Sequence, residues 1–137
     1  MKNESILFQK IILLQSFPLF AHLSRNTLTS LAASVEEKTH PSGTILFKKG
    51  DPGHTLHAIC CGQVTVTLEP QPAQTLGRGD VVGEIALLTQ RPRSATVMVT
   101  EHARLLTLDR NHFLDLVAED PQALQAMTTM VLQRFLA

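Results

Sequence analysis

Neither sign of charge predominates in this chain: 12 lysines and arginines are matched by 12 aspartates and glutamates, for a formal net charge of zero at pH 7. A protein that grips a nucleic-acid backbone usually carries a basic surplus, so direct nucleic-acid binding is not expected. Long hydrophobic runs are also missing. The most apolar stretch, IILLQSFPLF at 11–20, is interrupted by Gln15, Ser16 and Pro18, short of the roughly 20 residues that cross a bilayer. The opening MKNESILFQKIILL has a single lysine before Glu4 and no small-residue cleavage site, which makes a poor signal peptide. Cysteine is confined to the neighbours Cys60 and Cys61. Adjacent cysteines in an extended segment face opposite ways and rarely join, so no disulfide framework is implied. There is no Gly-x-Ser-x-Gly, no Walker-type loop and no suggestive carboxylate pair, so no enzyme activity is expected. These absences together predict a soluble chain in a reducing, cytoplasmic setting, with no membrane span.

What is present is enough for a core. With 137 residues, 44% of them apolar, the chain suits one domain over 1–137. Periodicity divides it into three zones. Residues 4–35 read as helical: Ile6, Leu7, Ile11 and Leu14 share a face. After a break at Pro18, Leu28, Leu31, Ala32 and Val35 recur at i, i+3, i+4 and i+7. Ser24, Asn26 and Thr27 are candidate N-caps. Residues 36–108 switch to short extended runs at 44–47, 55–60, 63–69, 73–76, 94–100 and 103–109, punctuated by glycine, proline and aspartate. Such spacing predicts a sandwich or barrel of jelly-roll type. Gly50, Gly53, Gly62 and Gly79 stand where tight turns need a residue that tolerates positive φ. Residues 109–137 return to helix, with Asp109 as a cap, Phe113, Leu116 and Val117 on one face, and Pro121 in the first turn of a second helix. Its apolar stripe would be Leu124, Met127, Val131 and Phe135. The expected fold is mainly β with flanking helices: a double-stranded β-helix (jelly-roll) barrel, N-terminal helices and two C-terminal helices.

One stretch resists a packing explanation. GEIALLTQRPRSATV, residues 83–97, sets Glu84, Arg93 and Ser94 around an apolar run. EIALL suffices for one or two helical turns, whose first backbone N–H groups attract an anion. Arg93 adds a forked, permanent cation and Ser94 a hydroxyl. These converge on a phosphate. Glu84 would repel a phosphate but accept hydrogen bonds from neutral hydroxyls such as those of a ribose. A nucleotide with sugar and phosphate close together satisfies both.

The stretch resembles the phosphate-binding cassette of the cyclic nucleotide-binding domain family: Gly-Glu, a short apolar helix, a turn, then Arg followed by a small residue and an apolar strand. PSGTILFKKGDPGHTLHAICCGQVTV is similar to the family's first barrel hairpins, and LLTLDRNHFLDLVAEDP to its exit strand and following helix. The resemblance covers about residues 16–137. It implies that Glu84, following Gly83, binds the ribose 2′-hydroxyl, Arg93 the cyclic phosphate, and Ser94 the phosphate or base. Backbone N–H groups near Ile85, Ala86 and Ala95 would complete the cradle. Val64 and Leu76 would contact the purine, and Arg134 on the last helix would serve as a lid. The ligand would be cAMP or cGMP; serine at 94 resembles members that accept both. No cofactor is implied. Two positions depart from the family pattern, His57 in place of a common aromatic and Gln90 in place of a frequent glycine; neither is expected to touch the ligand.

The implied function is regulatory. Phosphate would order the cassette, and the 109–137 helices would move against the barrel. No kinase, channel or DNA-reading segment is present, so the effector domain or partner protein would lie outside this chain, which suits either an excised regulatory domain or a free-standing one acting by association. The apolar terminal helices could also pair two chains as a homodimer. Three alternatives stand beside this reading. Glu84 and Arg93 could form a structural salt bridge. The fold could be a ligand-free interaction module, docking through 4–14 and 121–137. A cupin-like metalloenzyme would need metal ligands, but His54 and His57 lie three apart in an extended run and face opposite sides.

Overall fold

The computed structural model describes the backbone of residues 2–136 and the side chains of residues 6–126, 128, 129, 132 and 133. Elements run α1 (Lys2–Gln15), α2 (Arg25–Ser34), β1 (Glu36–His40), β2 (Ile45–Phe47), β3 (Thr55–Thr67), β4 (Gln74–Leu76), β5 (Val81–Val82), α3 (Glu84–Thr89), β6 (Thr96–Asp109), α4 (Arg110–Glu119) and α5 (Pro121–Leu136). They fall into two compact units. Glu36–Leu108 holds the sheet, and Met1–Val35 with Asp109–Ala137 holds the flanking helices.

In the sheet unit six strands follow the order β1-β6-β3-β4, with β2 also on β6 and β5 also on β3. Every registered pair is antiparallel. The jelly roll depends on two long strands that pair with each other and each serve two further partners. One end of β6 pairs with β2 (Phe47 with Val97) and the other with β1 (Glu36 with Thr107). Likewise β3 meets β5 at His57 and Ala58, then β4 at Val64–Val66. Phe47, Ile59, Val64, Val82, Val97, Val99, Ala103 and Leu105 form the core between these strands.

This arrangement corrects the expected break between Cys60 and Gln63. Residues 55–67 form one strand through Gly62, which sits at φ +88°. A Cβ there would collide with the backbone of His102 and Ala103. Gly62 therefore lets β3 bend while pressed against β6, where a turn was expected. The same merger joins the runs at 94–100 and 103–109 into β6. Strand β1, EEKTH, is exposed at four of five positions and shows no apolar alternation, which is why periodicity missed it. Cys60 is buried and Cys61 exposed, as their alternation requires.

In the helical unit Ser24 is the cap of α2; its hydroxyl accepts the Thr27 N–H at 3.1 Å. Leu28, Leu31, Ala32 and Val35 are all buried, matching the 3.6-residue stripe. Between α1 and α2 a turn buries Phe17 and Phe20 edge to face at 6.1 Å. Asp109 caps α4 by accepting the His112 N–H at 2.9 Å, and Phe113 and Leu116 face inward. The α5 stripe differs from expectation: Ala123 is buried while Leu124 is 41% exposed. Met127, Val131 and Phe135 lie outside the described side chains. No described helix is long and apolar enough to cross a membrane.

Candidate ligand-binding site

The cassette begins where β5 ends. Gly83 adopts φ 91°, ψ 2° and turns the chain into α3 without a side-chain cap. A Cβ on Gly83 would lie 2.7 Å from Arg93 Nη1 and from the Thr55 carbonyl oxygen, so glycine serves here by shape and by φ. Helix α3 buries Glu84, Ala86 and Leu87 and stops at Gln90, which takes the left-handed conformation at φ 60°. That is the conformation a glycine would supply, and the Gln90 N–H still donates to the Ala86 carbonyl at 3.0 Å. The glutamine keeps the turn, at some conformational cost.

Backbone hydrogen bonds then pin the return segment. The Arg93 N–H donates to the Asp51 carbonyl at 2.7 Å, and the Gly50 N–H donates to the Arg93 carbonyl at 2.8 Å. The Arg93 side chain is thereby turned inward and is only 5% exposed. Its Nη1 donates to the Gly83 carbonyl at 3.1 Å, and its Nη2 to the Thr55 carbonyl at 2.8 Å and to Thr55 Oγ1 at 3.0 Å. The guanidinium lies over the Phe47 ring, 3.9 Å from its centroid, a cation–π contact in a desolvated setting. Burial lowers the Arg93 pKa, and the negative charges of Glu84 and Asp51 oppose that effect. Glu84 is 2% exposed. Two buried opposite charges in mutual influence limit each other's desolvation cost.

Arg93 Nε is buried with no hydrogen-bond partner among the described residues. A desolvated N–H left unpaired costs about 1–3 kcal/mol. An anion oxygen against Nε would remove that cost, which a purely structural arginine would leave standing. Gly53 makes the room. It is not at positive φ, contrary to expectation; a Cβ on it would overlap the Ala86 methyl and come within 3.2 Å of Arg93 Cδ and Nε. Its role is space beside the guanidinium.

Residues 37–120 match the family model described as the cyclic nucleotide-binding domain. The chain belongs to that family. Cyclic nucleotide-binding domains are ligand-sensing regulatory modules, and the jelly-roll barrel is their fold. The chain is 34% identical over 108 residues to the cAMP-dependent protein kinase regulatory subunit of Dictyostelium discoideum, covering 73% of this chain and 33% of that protein. It is 30% identical over 134 residues to the human potassium/sodium hyperpolarization-activated cyclic nucleotide-gated channel 4, covering 98% of this chain and 11% of the channel. Among solved structures, the regulatory domain of Toxoplasma gondii PKA co-crystallised with cAMP matches with a TM-score of 0.73 at 29% identity, over 82% of this chain and 45% of that one. The chain thus spans about a third or less of the length of the curated relatives it matches.

The structure brings Ala86 and Arg93 together beside Gly53 and sets Gly83 against the Arg93 guanidinium, with Glu84 acting electrostatically on Arg93. Ile85 is half-buried, Ala95 is buried and Ser94 is exposed. Val64 and Leu76 are register partners across β3 and β4; Val64 is fully buried in the core and Leu76 packs against it. The Arg134 side chain lies outside the described residues. Sequence reasoning missed Thr55 and Phe47, which hold the guanidinium. A backbone carbonyl acceptor has no residue signature, and Phe47 reads as an ordinary core aromatic. Among the described residues no three of His, Cys, Asp and Glu gather as metal ligands would.

Proposed function

We propose that this domain binds a cyclic purine nucleotide, cAMP or cGMP, in the 83–95 cassette. Buried Arg93, with an unpaired Nε and the charge of buried Glu84 acting on it, is the observation that carries this reading. Arg93 contacts the cyclic phosphate and the backbone N–H groups of Ile85, Ala86 and Ala95 complete its cradle. Glu84 accepts from the ribose 2′-hydroxyl, and exposed Ser94 adds its hydroxyl beside the phosphate or base. Leu76 meets the purine with Val64 packed against it, and Arg134 on α5 acts as the lid. Binding orders the cassette and shifts the 109–137 helices, which pass the signal to an effector outside this chain. Pairing of two chains through the terminal helices is a compatible arrangement, read by light scattering with and without ligand.

Titration calorimetry with cAMP and with cGMP tests the reading. Heat of binding with at least one nucleotide is expected, and Arg93→Ala should weaken it by about ten- to a hundredfold, the loss of a charge-assisted contact. The absence of heat with either nucleotide would favour the second reading, a ligand-free interaction module. That alternative draws on the three hydrogen bonds by which Arg93 already ties the cassette to Gly83 and Thr55.

A further inference from the structure

The guanidinium of Arg93 is the end of a hydrogen-bond chain that runs through the barrel wall. Arginine only donates, so Thr55 Oγ1 is the acceptor in its 3.0 Å bond with Arg93 Nη2. The single hydroxyl hydrogen of Thr55 is then left to point elsewhere, and His57 Nε2 stands 3.2 Å from Oγ1. If that hydrogen goes to Nε2, the imidazole proton must sit on Nδ1, which is 2.9 Å from Thr107 Oγ1 and can donate to it. The whole chain acquires one direction: Arg93 to Thr55 to His57, and His57 in turn to Thr107. The opposite tautomer would aim two N–H donors at the Thr55 hydroxyl oxygen and leave its hydrogen without an acceptor among the described residues.

Stacking supports the same placement. The Phe47 ring under Arg93 also stacks on His57, with centroids 6.2 Å apart and planes at 18°. His57 and Thr107 are both buried, each 8% exposed. Burial first, then the positive charges of Arg93, His40 and Lys38, push the His57 pKa down to about 4, so the ring is neutral near pH 7 and its Nε2 can accept.

We propose that His57 is a positioning residue for Arg93: by taking the Thr55 hydroxyl hydrogen it turns the Thr55 lone pairs to the guanidinium and holds that group in one orientation before an anion arrives. This rests on the cyclic-nucleotide reading of the site and deepens it. Orientation settled in advance is affinity that need not be spent on ordering, and a chain of polarised hydrogen bonds strengthens each member.

The test has two independent arms. In the first, cAMP and cGMP are titrated into wild type, His57→Phe, Thr55→Val and the double variant. Phenylalanine keeps a ring for Phe47 to stack on but cannot accept a hydrogen. Each single change should weaken binding by about three- to tenfold, the value of one hydrogen bond. The double variant should bind no worse than the weaker single, because both changes cut the same chain. His57→Gln, whose amide oxygen can take the hydroxyl hydrogen, should restore part of the loss. Wild-type affinity in folded His57→Phe, or losses that simply add, would overturn the proposal. In the second arm, nitrogen NMR of the ligand-free protein should find His57 protonated on Nδ1 and Arg93 Nε–H exchanging faster in His57→Phe than in wild type. A proton on Nε2, or unchanged exchange, would overturn it. Should wild type bind neither nucleotide, the functional reading fails while this second arm still decides the role of His57.

Discussion

The sheet unit and the helical unit treat their apolar side chains differently. Among the described residues of the sheet unit the exposed large apolar side chains are Ile45 and Met98, which stand opposite each other across β2 and β6. The helical unit exposes Ile6, Phe8 and Ile12 on α1, Leu114 on α4, and Leu124 and Leu132 on α5. A barrel wraps a sheet around its own apolar face, whereas a helix buries only a stripe and needs a neighbour for each further face. The proposed ligand-contacting residues other than Arg134 therefore belong to the part of the chain that completes its own packing. Among the described residues, exposed large apolar side chains are concentrated in the helices.

The contrast is broken or sharpened most directly by truncation. Leu105→Ala, in the barrel core and fully buried, should lose about 2–5 kcal/mol of stability. Leu132→Ala, 50% exposed on α5, should stay within about 0.5 kcal/mol of wild type. Urea unfolding of both variants measures the difference, and equal losses would erase the distinction. Gly53→Ala carries the comparison into the site. Its methyl overlaps Ala86 and presses on Arg93, so about 1–3 kcal/mol of overpacking cost is expected, together with weaker nucleotide binding in calorimetry.

Acid should act on the sheet unit through His57. Its folded pKa, pushed down from 6.5 to about 4, means the unfolded chain takes up the proton first as pH falls. Stability from this group is complete above about pH 6.5 and is lost as pH drops toward 4, on the order of 1–2 kcal/mol between neutrality and about pH 5. Urea midpoints across that range should slope in wild type and flatten in His57→Phe. The smallest effect is expected at the cassette turn. Gln90→Gly removes the left-handed penalty at φ 60° and should raise the thermal midpoint, a gain of roughly 0.5–1 kcal/mol.

Much of this molecule is legible in its sequence, and the legible parts share a cause. The cap residues Ser24 and Asp109 and the stripe Leu28–Val35 depend on neighbours within one or two helical turns. Local spacing therefore reports them faithfully. The strand boundaries differ at Gly62 because a glycine signals conformational freedom without saying whether the chain reverses or only bends. His57 shows the same limit at the site. In the sequence it is a substituted aromatic with no expected bearing on the ligand, yet it stands one threonine hydroxyl away from Arg93.

The sequence by itself determined the order of zones and the cassette with Glu84, Arg93 and Ser94, because each is written in contiguous residues whose chemistry needs no partner to be recognised. Only the tertiary structure decided what surrounds Arg93: Phe47 from β2, Thr55 and His57 from β3, the Asp51 carbonyl, and the room left by Gly53. Those contacts join residues some 40 positions apart through a ring face, a hydroxyl, backbone carbonyls and a missing methyl, and none of them can be read from the sequence until the strands are paired.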